Sequence, residues 1–206
     1  MPTRKSLCLG ISGGSGSGKS WLAQFLLKSL GPKAVIVCAD WYYKDNGHLS
    51  REEIKKLNFD HPKAIETGLL CRQVKALLQG VTMEAPCYDY QRSARLPETR
   101  IVESAPLVIL DGLLILADKK IRELLDLSVY IESPSDERLI RRIRRDVEHR
   151  RVDLEETLRL YEHCVRPMHE RYIAPSAAHA TWIWRQQEDE GFPADLLATL
   201  RARLKV

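Results

Sequence analysis

No C-x-x-C pair occurs in the 206 residues, and the five cysteines (Cys8, Cys38, Cys71, Cys87 and Cys164) are odd in number and widely spaced. That excludes a disulfide framework and a zinc site of ordinary spacing, and it predicts packed, reduced thiols in a cytoplasmic protein. Long apolar runs are missing as well. The most apolar segment, "APLVILDGLLILA", is too short for a membrane span and carries Asp111. The stretch before the first apolar strand, "MPTRKS", lacks the apolar core of a signal peptide, so none is expected. There is no large excess of charge. A net charge of +4 leans toward anionic ligands but is too small to predict nucleic acid as a partner. Repeats and low-complexity tracts are absent. With 44% hydrophobic and 29% charged residues, the chain is expected to form one α/β domain over residues 1–206.

What is present alternates. Short apolar runs, the strand candidates Leu7–Ile11, Ala34–Cys38, Leu107–Leu110, Leu127–Ile131 and Thr181–Trp184, are separated by amphipathic stretches. The helix candidates are Lys19–Leu30, Ile65–Leu78, Lys119–Leu125, Ser135–Arg150, Leu154–Tyr172 and Pro193–Leu204. This rhythm predicts a mainly parallel sheet between crossover helices, a three-layer α/β fold. Residues 82–103, "TMEAPCYDYQRSARLPETRIVE", break the rhythm and read as an inserted hairpin that would serve an acceptor.

Between the first strand and the first helix stands "GGSGSGKS". Gly13, Gly18, Lys19 and Ser20 satisfy G-x-x-x-x-G-K-[ST]; with Gly14, Ser15, Gly16 and Ser17 they form a loop whose N–H groups can face phosphate oxygens. Lys19 would reach the β- and γ-phosphates and the Ser20 hydroxyl would ligate Mg²⁺. The strand before and the helix after make a flexible linker the poorer reading. A dinucleotide fingerprint G-x-G-x-x-G is absent, and so are the switch and guanine-reading motifs of a GTPase. The loop therefore predicts a nucleoside triphosphate, ATP or GTP, bound with Mg²⁺.

Two acids close strands. Asp40 ends "VIVCAD" and is expected at the carboxyl edge of the sheet, where it could take the proton of an attacking hydroxyl or join the metal site. A turn or capping role is the alternative; the three rings of "WYYKD" beside it favour an organic acceptor. Asp111 ends "LVILD" and is expected to hold Mg²⁺ with Ser20. Farther on, "ERLIRRIRRDVEHRR" carries an arginine stripe. At roughly 100° per residue Arg138, Arg142, Arg145 and His149 share one face, while Leu139, Ile140, Ile143 and Val147 make a separate apolar face. A solvated face, an RNA groove and a phosphate-clamping lid are all open to such a stripe; beside a phosphate loop the lid, residues 135–151, is the preferred reading. Arg141 and Arg144 point elsewhere on the wheel and read as solvated. His163 and His169 have no partners at metal-binding spacing.

Together, "GISGGSGSGKS", "DWYYKDNGHL", "NFDHPKAIE", "PCYDY", "LPETR", "VILDGLL", "ERLIRRIRRD" and "YEHCVRPMHERYIAPS" resemble the uridine–cytidine kinase family, bacterial type. The resemblance implies ATP-dependent phosphorylation of the 5′-hydroxyl of a pyrimidine ribonucleoside, Mg²⁺ as cofactor, and a homotetramer with no membrane or nucleic-acid partner. It implies Asp40 as base, Lys19, Arg142 and Arg145 in the transfer, and Ser20, Asp40 and Asp111 around the metal. It further implies Tyr43, Asp60, Tyr88, Tyr90, Ser93, Arg142 and Arg150 around the nucleoside, with Asp60 on the ribose hydroxyls. Ser93, Val152 and Leu160 depart from the family where base-reading groups are expected, and the "ATWIWRQQ" segment departs on the adenine side. The alternatives are another riboside or hydroxyl acceptor for the same reaction, and a non-catalytic ATP-binding regulator.

Overall fold

The computed structural model describes residues 5–205; the expected domain span of 1–206 thus includes residues 1–4 and 206, which lie outside the described residues. The chain runs β1 (Leu7–Gly13), α1 (Lys19–Leu30), β2 (Ala34–Cys38), a short α2 (Arg51–Ile54) and α3 (Thr67–Leu78). A hairpin, β3 (Met83–Asp89) and β4 (Ala94–Val102), precedes β5 (Leu107–Asp111), α4 (Lys119–Arg122) and β6 (Leu127–Glu132). After α5 (Ser135–Arg144) come α6 (Leu154–Leu160), α7 (Arg166–Met168), β7 (Trp182–Arg185) and α8 (Phe192–Leu204).

Five strands form a parallel sheet in the order β2-β5-β1-β6-β7, and the hairpin stands apart as an antiparallel pair. Period-2 alternation splits the core. Cys8, Val37, Val108, Leu110 and Tyr130 pack on one face with α3, α4 and the hairpin. Leu9, Ile11, Leu107, Ile109, Val129 and Ile131 pack on the other with α1 and α8. Strands buried on both faces read as continuous apolar runs, which is why they were visible in the sequence. Helix α1 shows the logic of its own ends. Leu22, Ala23, Leu26 and Leu30 recur at helical spacing and are buried; Gly31, at φ 56, returns its N–H to Leu27 O, and Pro32 follows. In the hairpin turn Asp89 Oδ1 accepts from the backbone N–H groups of Gln91 (2.9 Å) and Arg92 (3.1 Å), and Ser93 takes φ 52.

The two long helical expectations are met differently. The 135–150 stretch is α-helical only to Arg144 and widens over Arg145–His149 into a π-helical turn, with Arg150 N–H donating to Arg145 O at 3.2 Å. The 154–172 stretch holds two more such turns, Tyr161–Val165 and His169–Ile173. Wide turns of this kind gather at functional sites, and they advance the helix face by less per residue than an α-turn does. Among the described residues no helix is long and apolar enough to cross a membrane.

Gly16 and Gly31 make a controlled pair. Both hold positive φ (79° and 56°), but a Cβ on Gly16 would lie 2.4 Å from the backbone oxygen of Arg138, whereas one on Gly31 meets nothing within 4 Å. Gly31→Ala should cost about 1 kcal/mol of backbone strain and Gly16→Ala distinctly more. Denaturant melts of the two variants check this; equal losses would mean that the loop is not clamped where it meets Arg138.

Candidate active site

The phosphate loop leaves β1 at Gly13 and enters α1 at Lys19, so its N–H groups face the open carboxyl edge of the sheet. Lys19 Nζ donates to Gly14 O at 2.8 Å across the loop. Burial lowers the pKa of Lys19, opposed by Asp111 and Asp40. Ser20 Oγ donates to Asp111 Oδ2 at 2.8 Å. Asp111 is 5% exposed, and its other oxygen, Oδ1, is buried with no hydrogen-bond partner. An orphaned carboxylate oxygen beside a hydroxyl fits a magnesium ion, which takes one or two protein oxygens and completes its shell from phosphates and water. Among the described residues there is no cluster of three or more His, Cys, Asp or Glu that could hold a metal ion.

In front of the loop opens a cavity of about 1040 Å³. Lys19, Ser20, Asp40 and Asp111 line its floor. Asp40 sits in the tight turn Ala39–Tyr42 just past β2, and no hydrogen bond or ion pair among the described residues ties up its carboxylate. Asp40 thus stands in a turn, as one half of the alternative had it, but its carboxylate caps no helix. Burial raises its pKa from 3.8 to about 6; the like charge of Asp111 adds to the rise, and Lys19 and Arg150 oppose it. Asp60 lines one wall, only 8% exposed, with burial raising its pKa against the pull of Arg142. The local fold that delivers it is an Asx turn, Asp60 N–H to Asn58 Oδ1 at 3.0 Å.

The aromatic wall is continuous. Tyr43 touches Phe59 edge-on at 5.5 Å and Tyr88 at 5.5 Å, Tyr88 meets Tyr90 at 5.4 Å, and the Arg150 guanidinium lies 5.6 Å over Tyr90. Of the three rings in "WYYKD", however, only Tyr43 reaches the cavity. Tyr42 is fully buried with its hydroxyl on Gln73 Oε1 at 2.7 Å, and Trp41 lies under the Arg100 guanidinium at 4.1 Å. Successive residues in a tight turn point apart, so adjacency in sequence overstated the cluster. Ser93, Val152 and Leu160, the three positions that depart from the resemblance, all line this cavity, as does Arg151.

The arginine stripe is partly overturned. Arg142, Arg145, His149 and Arg150 line the cavity, and Arg142 Nη1 donates to Ser15 Oγ at 3.0 Å. Arg138 instead is buried beneath the loop, its Nε donating to Ser133 O at 3.1 Å and its Nη1 2.5 Å from where a Gly14 Cβ would stand. Arg141 is not merely solvated; it reaches Gly16 O at 3.3 Å and Gln186 Oε1 at 3.0 Å. The separate apolar face is not packed as a whole: Ile140 and Val147 are exposed, while Leu139 and Ile143 are half-buried. Asp146 explains the inversion: buried at 4% exposure, it pairs with Arg142 (3.2 Å), Arg145 (2.9 Å) and Arg150 (3.6 Å), so the charged face can turn inward.

Two residues at the loop were not expected there from the sequence. Gln186, from the far end of the chain, donates from Nε2 to Ser17 O at 3.0 Å and accepts from Ser133 Oγ at 2.6 Å. His169 packs against Gly14, and burial, together with Arg138 and Lys19, drives its pKa down to about 4, leaving it neutral. Neither shares a spacing or a motif with the loop.

Known proteins match this chain along most of its length. The family model described as Phosphoribulokinase / Uridine kinase family matches residues 8–190. A uridine kinase of Alkaliphilus metalliredigens is 38% identical over 194 residues, covering 94% of this chain and 93% of that one. A uridine kinase of Clostridium tetani is 39% identical over 182 residues, covering 88% and 87%. Among solved structures, D-glycerate 3-kinase from Cryptococcus neoformans superposes with a TM-score of 0.61 at 16% identity, covering 84% of this chain and 80% of that one. Phosphoribulokinase from Rhodobacter spheroides gives 0.55 at 18% identity, covering 82% and 69%. These two show the fold alone.

The raised pKa of Asp40 sets a stability signature. Between pH 3.8 and about 6 the folded chain holds a proton that the unfolded chain releases, so this group's contribution falls as pH rises through that window. Above pH 6 the full penalty is present, at most about 3 kcal/mol and less by the screening of the open cavity. Asp40→Asn should therefore be more stable than the parent at pH 8, with the gain vanishing near pH 4. Denaturant melts at several pH values check it; a pH-independent difference would contradict it.

Proposed function

Since this chain belongs to the phosphoribulokinase/uridine kinase family, we propose that it transfers the γ-phosphoryl group of ATP to the 5′-hydroxyl of uridine or cytidine. The observation that carries the reading is the shared cavity. A phosphate loop, an uncommitted carboxylate, a second buried carboxylate and an aromatic wall face one another across it. Relatives named uridine kinase, matched over nearly their whole length, support uridine as acceptor. Free cysteines throughout suit a reducing compartment, and a cytoplasmic location is part of the proposal.

In this account the loop N–H groups and Lys19 bind the donor phosphates, and Arg142 and Arg145 stabilise the charge that spreads over the transferring group. Asp40 accepts the proton of the 5′-hydroxyl. A base with a pKa of about 6 is ionised at neutral pH yet still basic enough to orient and take that proton. Asp60 holds the ribose hydroxyls by two acceptor oxygens, which keeps the 5′-carbon pointing toward the loop. Tyr43, Tyr88 and Tyr90 sandwich the base with Arg150. Ser93, Val152 and Leu160 offer one hydroxyl and two hydrocarbon surfaces, so the base is held by shape and stacking. Ser20 and Asp111 would hold Mg²⁺. When bound, it would supply positive charge that offsets the negative charge of the donor phosphates.

The test is phosphotransfer from ATP with Mg²⁺, product identified by mass. UMP and CMP should form with comparable kcat/KM, and the rate should fall with acid through a limb near pH 6. Asp40→Asn should lose at least about a thousandfold in kcat while still binding ATP. If uridine and cytidine both fail although ATP binds, the pyrimidine assignment is wrong; undiminished turnover by Asp40→Asn would remove Asp40 from the chemistry.

A further inference from the structure

The phosphate loop has two flanks, and the reaction above uses only one. Ile11 pairs with Asp111, and Asp111 with Cys38, so the flank formed by β5 and β2 carries Asp111 and, two residues past Cys38, Asp40. On the other flank Gly13 pairs with Ile131 and Ile131 with Trp184, one row across β1, β6 and β7. In-line transfer sets the leaving oxygen opposite the entering one. With the acceptor on the β2 flank, the remainder of the donor must leave the loop toward β6 and β7.

An aromatic stack stands on that side. Trp21 follows Ser20 directly in α1 and is 57% exposed. Its indole lies parallel to Phe25 at 5.6 Å and 8°, and against Trp184 at 6.2 Å. Trp184, itself 5% exposed, stacks on Phe192 at 5.6 Å and donates from Nε1 to Asp189 O at 2.7 Å. Four rings thus lie in contact, and the series ends at the exposed Trp21. The stack is also tied to the loop. Gln186, two residues past Trp184, bonds Ser17 O, and its Nε2 stands 2.9 Å from the Cβ position of Gly18. Gln186 thus links the ring stack to the phosphate loop.

We infer that Trp21 is the platform on which the purine base of the nucleotide donor stacks. The inference rests on the reading of the loop as the donor site of a kinase. An indole held on one face by Phe25 and steadied by Trp184 is preorganised for a flat ring, and it sits beside the helix start that receives the phosphates. Stacking reads the π-face that every base has and no hydrogen-bond pattern. ATP and GTP should therefore both serve as donors, with no great difference in KM.

Intrinsic fluorescence in the presence of Mg²⁺ tests this with two probes, ATP and inorganic tripolyphosphate. ATP should quench the emission, and tripolyphosphate should bind the same site, by competition, with little quenching. Trp21→Phe should remove most of the quench while keeping the donor KM close to that of the parent. Trp21→Ala should raise the donor KM roughly tenfold or more, with kcat at saturating donor moving far less. Equal quenching by tripolyphosphate, or an unchanged donor KM in Trp21→Ala, overturns the platform and leaves the kinase reading standing. If calorimetry finds that neither probe binds, the kinase reading falls and the platform with it. Should Trp21→Ala fail to fold, the parent and Trp21→Phe still decide the matter.

Discussion

A loop that turns its N–H groups inward toward an anion cannot hold its own shape, and the rest of this molecule is arranged to hold it. Gly16 lies against the backbone of Arg138, Gly14 against the Arg138 and His169 side chains, and Gly18 against Gln186. These supports come from the helix after β6, from the wide turn His169–Ile173 and from the turn after β7, and parallel pairing in register sets β6 and β7 beside β1. A side chain on any of the three glycines would displace a support. The buried Arg138 and neutral His169 thus shape the loop from beneath, where a charged imidazole would add to the repulsion among cations.

Above the loop the balance of charge is different. Five carboxylates, five lysine or arginine side chains and His149 line one cavity, and one of those acids, the buried Asp146, gathers three of the arginines. That acid lets the polar side of the lid helix turn toward the protein. It also positions guanidiniums before any phosphate arrives, so little reorganisation is needed when charge develops. The cost falls on Asp40, whose ionised form is destabilised by its surroundings. A group poised near neutral pH for proton transfer is, by the same measure, a group that weakens the fold.

Much of this was legible in the sequence, and for identifiable reasons. Helix α1 and strand β2 fall on their expected bounds because glycine and proline punctuate them and their burial is periodic. Asp40, Asp111 and the phosphate loop were legible because a strand's carboxyl end fixes its position without tertiary detail. The lid helix was misread where its turns widen: a 100° wheel does not describe Arg145–His149, and charge inside a cavity inverts the usual rule of polar face outward. The supports of the loop were invisible. Gln186 reaches Ser17 across 169 positions, and only the sheet's strand order brings them together. The rings of "WYYKD" failed for the opposite reason, since neighbours in a turn need not share a direction.

The account's central claim is that donor and acceptor meet across one cavity and that the phosphoryl group passes directly between them. The most direct test is the stereochemical course at phosphorus, using ATP whose γ-phosphorus is made chiral with oxygen isotopes and analysing the configuration of the UMP formed. Direct in-line transfer predicts inversion. Retention would require two successive displacements through a phosphorylated side chain, and would contradict the roles derived for Asp40 and the loop.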